Sequence, residues 1–205
     1  MRVRLAIQQD CETLSDLILS SGPQSLAAIF DINSQFHCKG FLLSALAYEN
    51  GQFGYANHWL VEQQGLVIGS VSAWHSELDK TFHQATLQSV LQYYGSEHGI
   101  EVLSRSQIVQ EFIPKPRAHQ WCIGHLAVAQ SCQRQGAATA LLNVMSLEAQ
   151  RHNKSELSLD VPICNQSAIA FYQHYGFKNQ QQSILSQTML DAGFSRHLHM
   201  GKALV

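Results

Sequence analysis

The chain has 205 residues, of which 45% are hydrophobic and 14% are charged, so it is long enough for one domain with its own apolar core. The charged fraction is low, and 23 glutamines and 11 histidines supply neutral polarity instead, a composition that excludes a charge-driven disordered chain. The net charge is −2, without the basic excess of nucleic-acid binders or of proteins held on anionic membranes. We expect neither nucleic acid nor a membrane as partner.

The N-terminus and the cysteines indicate the compartment. The first apolar run covers only residues 5–7 before Asp10 intervenes, which is too short for a signal peptide, and no run reaches the roughly 18 residues of a membrane span. The five cysteines are odd in number, widely spaced and without a Cys-x-x-Cys pair. We therefore expect reduced thiols, no zinc framework and a cytoplasmic location.

Hydrophobic periodicity predicts mixed strands and helices in the first third of the chain. Residues 2–7 alternate as a first strand, and Asp10 is suited to cap the helix that follows. A second helix is predicted over 34–48. Two strands, 55–62 and 66–74, are joined by a short turn that contains glycine.

Residues 75–118 interrupt this pattern. Helical spacing is clear over 78–94, another apolar stretch spans 100–113, and Pro114 and Pro116 close the region because proline breaks both helices and strand ladders. The pattern predicts a helical insertion between the third and fourth strands.

The last part of the chain alternates strands with helices. The predicted elements are a strand at 119–129, a helix at 137–152, a strand at 156–161, a helix at 166–175 between Asn165 and Gly176, and strands near 177–185 and 197–204. The strand–loop–helix–strand order calls for a right-handed parallel crossover. We expect a single α/β domain over 1–205, with a twisted mixed sheet of six or seven strands and helices on both faces.

The loop after the fourth predicted strand is suited to bind an anion. It leads directly into a helix, whose free N–H groups and dipole attract a phosphate. Gly136 allows close backbone approach, and Arg134 adds a positive charge. Taken alone, this pattern also fits an ordinary turn glycine before an alanine-rich helix.

A second motif makes the first one informative. Gln133-x-x-Gly136-x-Ala138 is followed by Asn165-x-x-Ala168-x-x-x-Tyr172-x-x-x-Gly176-Phe177. The pair, at this spacing, resembles the two signatures of the GNAT superfamily of N-acetyltransferases. The resemblance is strongest over 119–204 and implies a GNAT-like fold that uses acetyl-CoA.

The resemblance implies a coenzyme A site on both motifs. The end of strand four would offer backbone groups to the pantetheine arm, the loop amides would hold the pyrophosphate, and the following helix would flank the rest of the molecule. The residues so implied are Leu126, Ala127, Val128, Gln133, Arg134, Gln135, Gly136, Ala137, Ala138, Thr139, Asn165, Ala168, Phe171 and Tyr172. Tyr172 would also be the general acid that protonates the departing thiolate.

The general base is left open. Many relatives carry a carboxylate on strand four, but residues 119–129 contain none. The side chains that remain are His119, His125 and Cys122, with a chain of water molecules as the alternative. Regular strand alternation puts His125 and Cys122 on opposite faces, which favours the water chain unless a bulge intervenes.

The expected reaction is acetyl transfer from acetyl-CoA to the primary amine of a small molecule, by direct attack in a ternary complex. The alternatives are a peptide or protein amine, or a non-catalytic acyl-CoA-binding module. The acceptor would bind where the 75–118 insertion and residues 20–54 meet strand four. No third ligand accompanies His197 and His199, so we expect no metal, and we expect a monomer or a homodimer.

Overall fold

The computed structural model describes residues 1–204. Its strands are β1 (Arg2–Leu5), β2 (His58–Gln63), β3 (Leu66–Trp74), β4 (Gln120–Val128), β5 (Glu156–Pro162), β6 (Lys178–Gln182) and β7 (His197–Ala203). They form a seven-stranded sheet in the order β1-β2-β3-β4-β5-β7-β6. Strands β4 and β5 are parallel, and the other neighbours are antiparallel. The predicted mixed α/β sheet of six or seven strands is confirmed.

The helices are α1 (Cys11–Ser21), α2 (Pro23–Phe30), α3 (Cys38–Leu46), α4 (Lys80–Phe112), α5 (Ala137–Arg151), α6 (Gln166–Tyr175) and α7 (Gln187–Asp191). Helices α2 and α7 were not predicted from the sequence. In α2, Pro23 occupies the first turn, where its missing N–H costs nothing, and Leu26 and Phe30 lie buried one turn apart. Within residues 1–204, no helix is both long and apolar enough to cross a membrane.

Helices cover both faces of the sheet, as predicted. On one face, α5 and α6 bury an apolar stripe against β4, β5 and β7, including Leu141, Leu142, Met145, Leu157, Ile169 and Met200. On the other face, α1 to α4 pack around an aromatic and aliphatic core that includes Leu14, Ile18, Phe41, Leu42, Leu60 and Tyr94. The site described below lies between these two cores.

Helix α4 occupies the predicted position between the third and fourth strands. Asp79 caps it by accepting a hydrogen bond from the Phe82 N–H at 2.8 Å. Gly95 adopts φ 73° and ψ −178° and interrupts the helical geometry, which places a bend between the two apolar segments seen in the sequence. The helix ends at Phe112, just before Pro114.

Strands β4 and β5 are paired over a short distance only. Their parallel register runs from Gln120↔Glu156 to Ile123↔Leu159 and then stops, although β4 continues to Val128. The strands therefore part after Ile123, and a gap opens between them in the middle of the sheet.

A β-bulge lies at the start of this gap. Ser70 and Ser72 of β3 pair with Ala127 and Gly124 of β4, so β4 carries one additional residue in this step. His125 provides it, with φ 49°, a left-handed conformation in which histidine is enriched among non-glycine residues. The expectation of regular alternation along this strand is therefore wrong.

The bulge changes the face on which His125 lies. Trp121, Ile123 and, beyond the bulge, Leu126 pack with the core under α5 and α6. His125 points the other way, toward Ser21 at the end of α1. It therefore lies on the same side of the sheet as Cys122.

Candidate active site

A cavity of about 900 Å³ occupies the gap between β4 and β5 and extends along α2 and α4. Its wall includes Tyr172 from the α6 side of the sheet and His125 and Asp160 from the opposite side. Because the strands have parted, side chains from both faces reach the same space. This geometry is suited to a reaction between two ligands that enter from different sides.

The loop before α5 follows the end of β4 and presents free amides, although no residue from 127 to 139 lines the cavity itself. Gly136 has φ 87°, and a Cβ placed there would meet no atom within 4 Å. In the described chain, no acceptor engages the N–H groups of residues 136–139, while the Ala140 N–H donates back to the Gly136 carbonyl at 2.9 Å. Arg134 lies exposed beside them. The four free donors, the helix dipole and the cation form a cradle that fits a pyrophosphate.

The other predicted loop and strand residues shape the approach to this cradle. The Gln133 and Gln135 side-chain amides donate to the Val128 and Ser131 carbonyls, each at 3.3 Å, and hold the loop. Leu126 lines the cavity. Because β5 has diverged, the backbone from Gly124 onward has no β5 partner, and this free edge fits an amide-bearing arm such as pantetheine.

Helix α6 forms the opposite side of the gap. Its N-cap is Asn165, as predicted, and the Asn165 Oδ1 accepts from the Ala168 N–H at 3.2 Å. Asn165, Ala168 and Tyr172 line the cavity. Phe171 does not line the cavity; its ring packs 5.4 Å from the Tyr172 ring. The residues implied by the second motif therefore converge on the gap, with Phe171 as support.

Tyr172 presents a protonated phenol. The residue is 9% exposed, and burial raises the pKa of its hydroxyl. No residue among 1–204 forms a hydrogen bond with that hydroxyl. The group keeps its proton at neutral pH and is free to donate it to a ligand in the gap.

His125 presents a free ring nitrogen. Its Nδ1 lies 3.3 Å from the Ser21 Oγ, and the Ser21 hydroxyl already donates its proton to the Ile18 carbonyl at 2.6 Å. Ser21 is therefore the acceptor, and Nδ1 carries the hydrogen. This tautomer leaves an unprotonated lone pair on the His125 Nε2.

Burial also keeps this imidazole neutral. Near the rings of Phe53 and Trp74, desolvation lowers the pKa of His125 to about 4. His58 lies fully buried on the same side of the sheet, where desolvation, with a smaller contribution from His125, lowers its pKa to about 3. At neutral pH both rings are uncharged bases.

These two shifts predict an acid-sensitive fold. The unfolded chain binds protons at both histidines near pH 6.5, whereas the native state binds them only near pH 3 to 4. The contribution of both histidines to the free energy of unfolding is therefore fully present above pH 6.5. As the pH drops toward 4, this contribution falls by up to about 1.4 kcal/mol per pH unit for each histidine. Urea unfolding between pH 7 and 4.5 measures this slope. His58→Gln should reduce it, and the exposed His174→Gln should not; a flat profile in the wild type would contradict the argument.

The other two candidate bases differ in position. His119 is exposed, precedes β4 and does not line the cavity, so the structure does not bring it together with the other site residues. Cys122 lines the cavity, but burial raises the pKa of its thiol. A protonated thiol is a poor nucleophile and a poor base.

The structure adds Asp160, which was not predicted from the sequence. Asp160 follows Leu159, the last β5 residue paired with β4, and lines the cavity. Its Oδ1 lies 3.1 Å from the Nδ1 of His199 on β7. The sequence contained one signal for this residue: Asp160 is a lone carboxylate on the face of the predicted strand opposite to the one that carries Leu157 and Leu159. Among residues 1–204, no group of three or more potential metal ligands is present.

Comparisons with solved structures show that acetyltransferases share this fold. An N-acetyltransferase from Staphylococcus aureus Mu50 superposes with a TM-score of 0.65 at 17% identity, covering 98% of this chain and 100% of its own. A ribosomal-protein-alanine N-acetyltransferase from Brucella melitensis gives 0.56 at 15% identity, covering 100% of both chains. The yncA structure from Salmonella typhimurium, solved with its cofactor acetyl-CoA, gives 0.54 at 15% identity, covering 100% of this chain and 94% of its own.

These identities show a shared fold only, and a comparison with curated proteins finds no match. The family follows from the sequence, because residues 26–177 match the model of the Acetyltransferase (GNAT) family, which spans well over half of the chain. The protein therefore belongs to the GNAT family and is an acyl-CoA-dependent N-acyltransferase.

Proposed function

We propose that the protein transfers an acetyl group from acetyl-CoA to the primary amine of a small molecule, by direct attack in a ternary complex. The observation that carries this proposal is the single cavity that joins the gap between β4 and β5 to the space along α2 and α4. One end has the free edge of β4, which fits the pantetheine arm of acetyl-CoA, and the other end has room for a second ligand. The amide cradle at the start of α5 lies beyond the lining residues, on the chain that continues from β4.

The shape of the acceptor end favours a small molecule over a protein. Helix α4 and the Pro114–Pro116 segment form part of its wall and surround the space with side chains. A polypeptide needs a long groove or a free strand edge for its backbone, whereas a small amine is suited to a concave, mostly apolar space.

His125 is assigned the role of general base. The acceptor ammonium first loses one proton to water, and the resulting neutral nitrogen attacks the thioester carbon that bound acetyl-CoA supplies. The free lone pair on the His125 Nε2 accepts the proton that this nitrogen loses as the carbon–nitrogen bond forms, and the Ser21 Oγ holds the ring in the required tautomer. Because the ring is neutral, it does not repel a positively charged acceptor on entry.

Tyr172 is assigned the role of general acid on the other side of the gap. Its hydroxyl donates a proton to the sulfur as the carbon–sulfur bond breaks, so that coenzyme A leaves as a thiol. The raised pKa of Cys122 supports direct attack, because an acetyl-cysteine intermediate requires a thiolate at that position.

Gly136→Glu tests the coenzyme A site. A carboxylate at this position would meet the phosphates, so CoA affinity is expected to fall by about tenfold or more, from charge repulsion alone. Gly65→Glu is the matched control, because Gly65 also has a positive φ and open space around its Cβ but lies in the β2–β3 turn. CoA titrations of both folded variants give the result, and equal affinities would contradict the cradle.

The reaction itself is tested with a panel of amines. Release of free thiol from acetyl-CoA is followed with small monoamines, polyamines, amino acids and short peptides. Turnover of a small amine supports the proposal. Turnover of peptides alone would assign a peptide or protein acceptor, and tight CoA binding without any turnover would indicate a non-catalytic acyl-CoA-binding module.

A further inference from the structure

The acceptor end of the cavity contains very little charge. Among its described lining residues, Asp160 and Lys115 are the formally charged side chains. Lys115 is exposed between two prolines at the rim, whereas the Asp160 side chain is only 9% exposed. The interior therefore offers one carboxylate.

Asp160 lies where the transfer takes place. It is the first residue of β5 beyond the last pair with β4, on the same side of the sheet as His125. The His199 Nδ1 holds its Oδ1 at 3.1 Å, and no donor among residues 1–204 engages its Oδ2. One carboxylate oxygen is fixed by the protein and the other is free for a ligand.

The rest of the wall is mostly apolar, with uncharged polar side chains such as Gln52, Thr86 and Gln110 between the apolar ones. Helix α2 contributes Leu26 and Ile29, and α4 contributes Phe82, Leu87, Val90 and Phe112. Burying a second charged group of a ligand against these side chains without a partner is strongly unfavourable, whereas an aliphatic or aromatic body gains from the same contact.

We propose that the acceptor is a monocationic amine with an apolar body, whose ammonium group binds the Asp160 Oδ2 and whose body lies between α2 and α4. The inference rests on the proposed function and names the substrate class of that site. Asp160 is a specificity residue that contacts the acceptor, and His199 is a positioning residue that orients Asp160.

Binding to the CoA-saturated protein tests the ammonium contact without turnover. Titration calorimetry compares 2-phenylethylamine with its neutral isostere 2-phenylethanol. The amine should bind at least about tenfold more tightly than the alcohol, because the alcohol leaves the Asp160 carboxylate buried without a positively charged partner. Asp160→Asn should abolish this preference while the affinity for CoA is unchanged. Asp191→Asn, which replaces an exposed carboxylate in α7, should retain it. Equal binding of amine and alcohol by the wild type would overturn the inference.

Steady-state kinetics separates recognition from proton transfer. Asp160→Asn should raise KM for 2-phenylethylamine about tenfold or more and leave kcat within about threefold, since the contact is already made before the chemical step. A large fall in kcat at unchanged KM, with loss of a limb in the pH profile, would instead make Asp160 the base and overturn its assignment as the ammonium anchor.

A matched series tests the apolar body on the unmodified enzyme. Hexylamine, 1,6-diaminohexane and 6-aminohexanoate have the same chain and differ in the group at the far end. We expect kcat/KM for hexylamine to exceed the other two by about tenfold or more. Equal or inverted values would overturn the inference while leaving acetyl transfer established; no transfer to any amine, with CoA still bound, would instead refute the proposed function.

Discussion

Replacing Tyr172 with phenylalanine is expected to lower kcat for acetyl transfer by about 10²–10⁴-fold. The ring and its contacts with Phe171 and Phe177 are kept, and only the proton donor is removed. Without it, sulfur must leave as a thiolate. The KM for acetyl-CoA should change little, because the hydroxyl acts when the carbon–sulfur bond breaks.

Tyr175→Phe is the matched control for this experiment. Tyr175 belongs to the same helix, but its hydroxyl donates to the Asn143 Oδ1 at 2.7 Å and does not line the cavity. Its removal should leave kcat essentially unchanged. Wild-type kcat in Tyr172→Phe would mean that this residue only packs, and a similar loss in both variants would indicate an effect on the helix instead of on the reaction.

His125→Asn is expected to lower kcat by about 10²-fold. Asparagine tolerates the positive φ at this bulge and retains a donor for the Ser21 Oγ, but it has no lone pair equivalent to the imidazole Nε2. His119→Asn, on the exposed segment before β4, should retain wild-type activity. A loss below about tenfold in His125→Asn would return the role of base to a chain of water molecules.

The pH profile gives an independent reading of the same assignment. Burial lowers the pKa of His125 to about 4, so its neutral form predominates throughout the neutral range. Wild-type kcat/KM should therefore rise with pH toward the pKa of the acceptor amine, without a limb near the ordinary histidine value of about 6.5. A limb at that value, absent in His125→Asn, would show that the ring is more solvated than its surroundings indicate.

Much of the fold follows from local signals in the sequence. Most of the elements are predicted by the periodicity of apolar residues in strands and helices, and their ends by signals such as the N-cap Asn165 and the terminating Gly176. These signals are readable because each acts within one or two turns of chain. Helix α2 was missed because it is short and immediately follows α1, although Pro23 at its first turn is a typical start signal.

The bulge in β4 shows what such local signals can predict and what they cannot. The large apolar residues of this strand are Trp121, Ile123, Leu126 and Val128, with one step of three residues among steps of two. That step, with Gly124 beside it, indicates an inserted residue. The bulge could therefore have been predicted from this spacing. The direction in which His125 points depends instead on the residues of α1 that pack on it.

Asp160 could not be assigned from sequence in the same way. Strand periodicity places it opposite to the core residues of β5, but its partner, His199, is 39 positions away in the chain. Their contact depends on the β5–β7 register, and its place in the cavity depends on where β4 departs from β5. Both are properties of the assembled sheet.

The short contact between β4 and β5 also has a mechanical consequence. Four residue pairs join the two halves of the sheet, β1 to β4 and β5 to β7, whereas seven pairs join β5 to β7. A ligand whose amides span the gap serves as the missing stretch of strand and ties the halves together. Since only the native arrangement offers both edges, the bound ligand adds to the free energy of unfolding, by about 2.7 kcal/mol at a concentration 100 times its Kd. The supply of acyl donor would therefore contribute to the stability of this enzyme, and without it only the four β4–β5 pairs and the shared apolar core join the two halves.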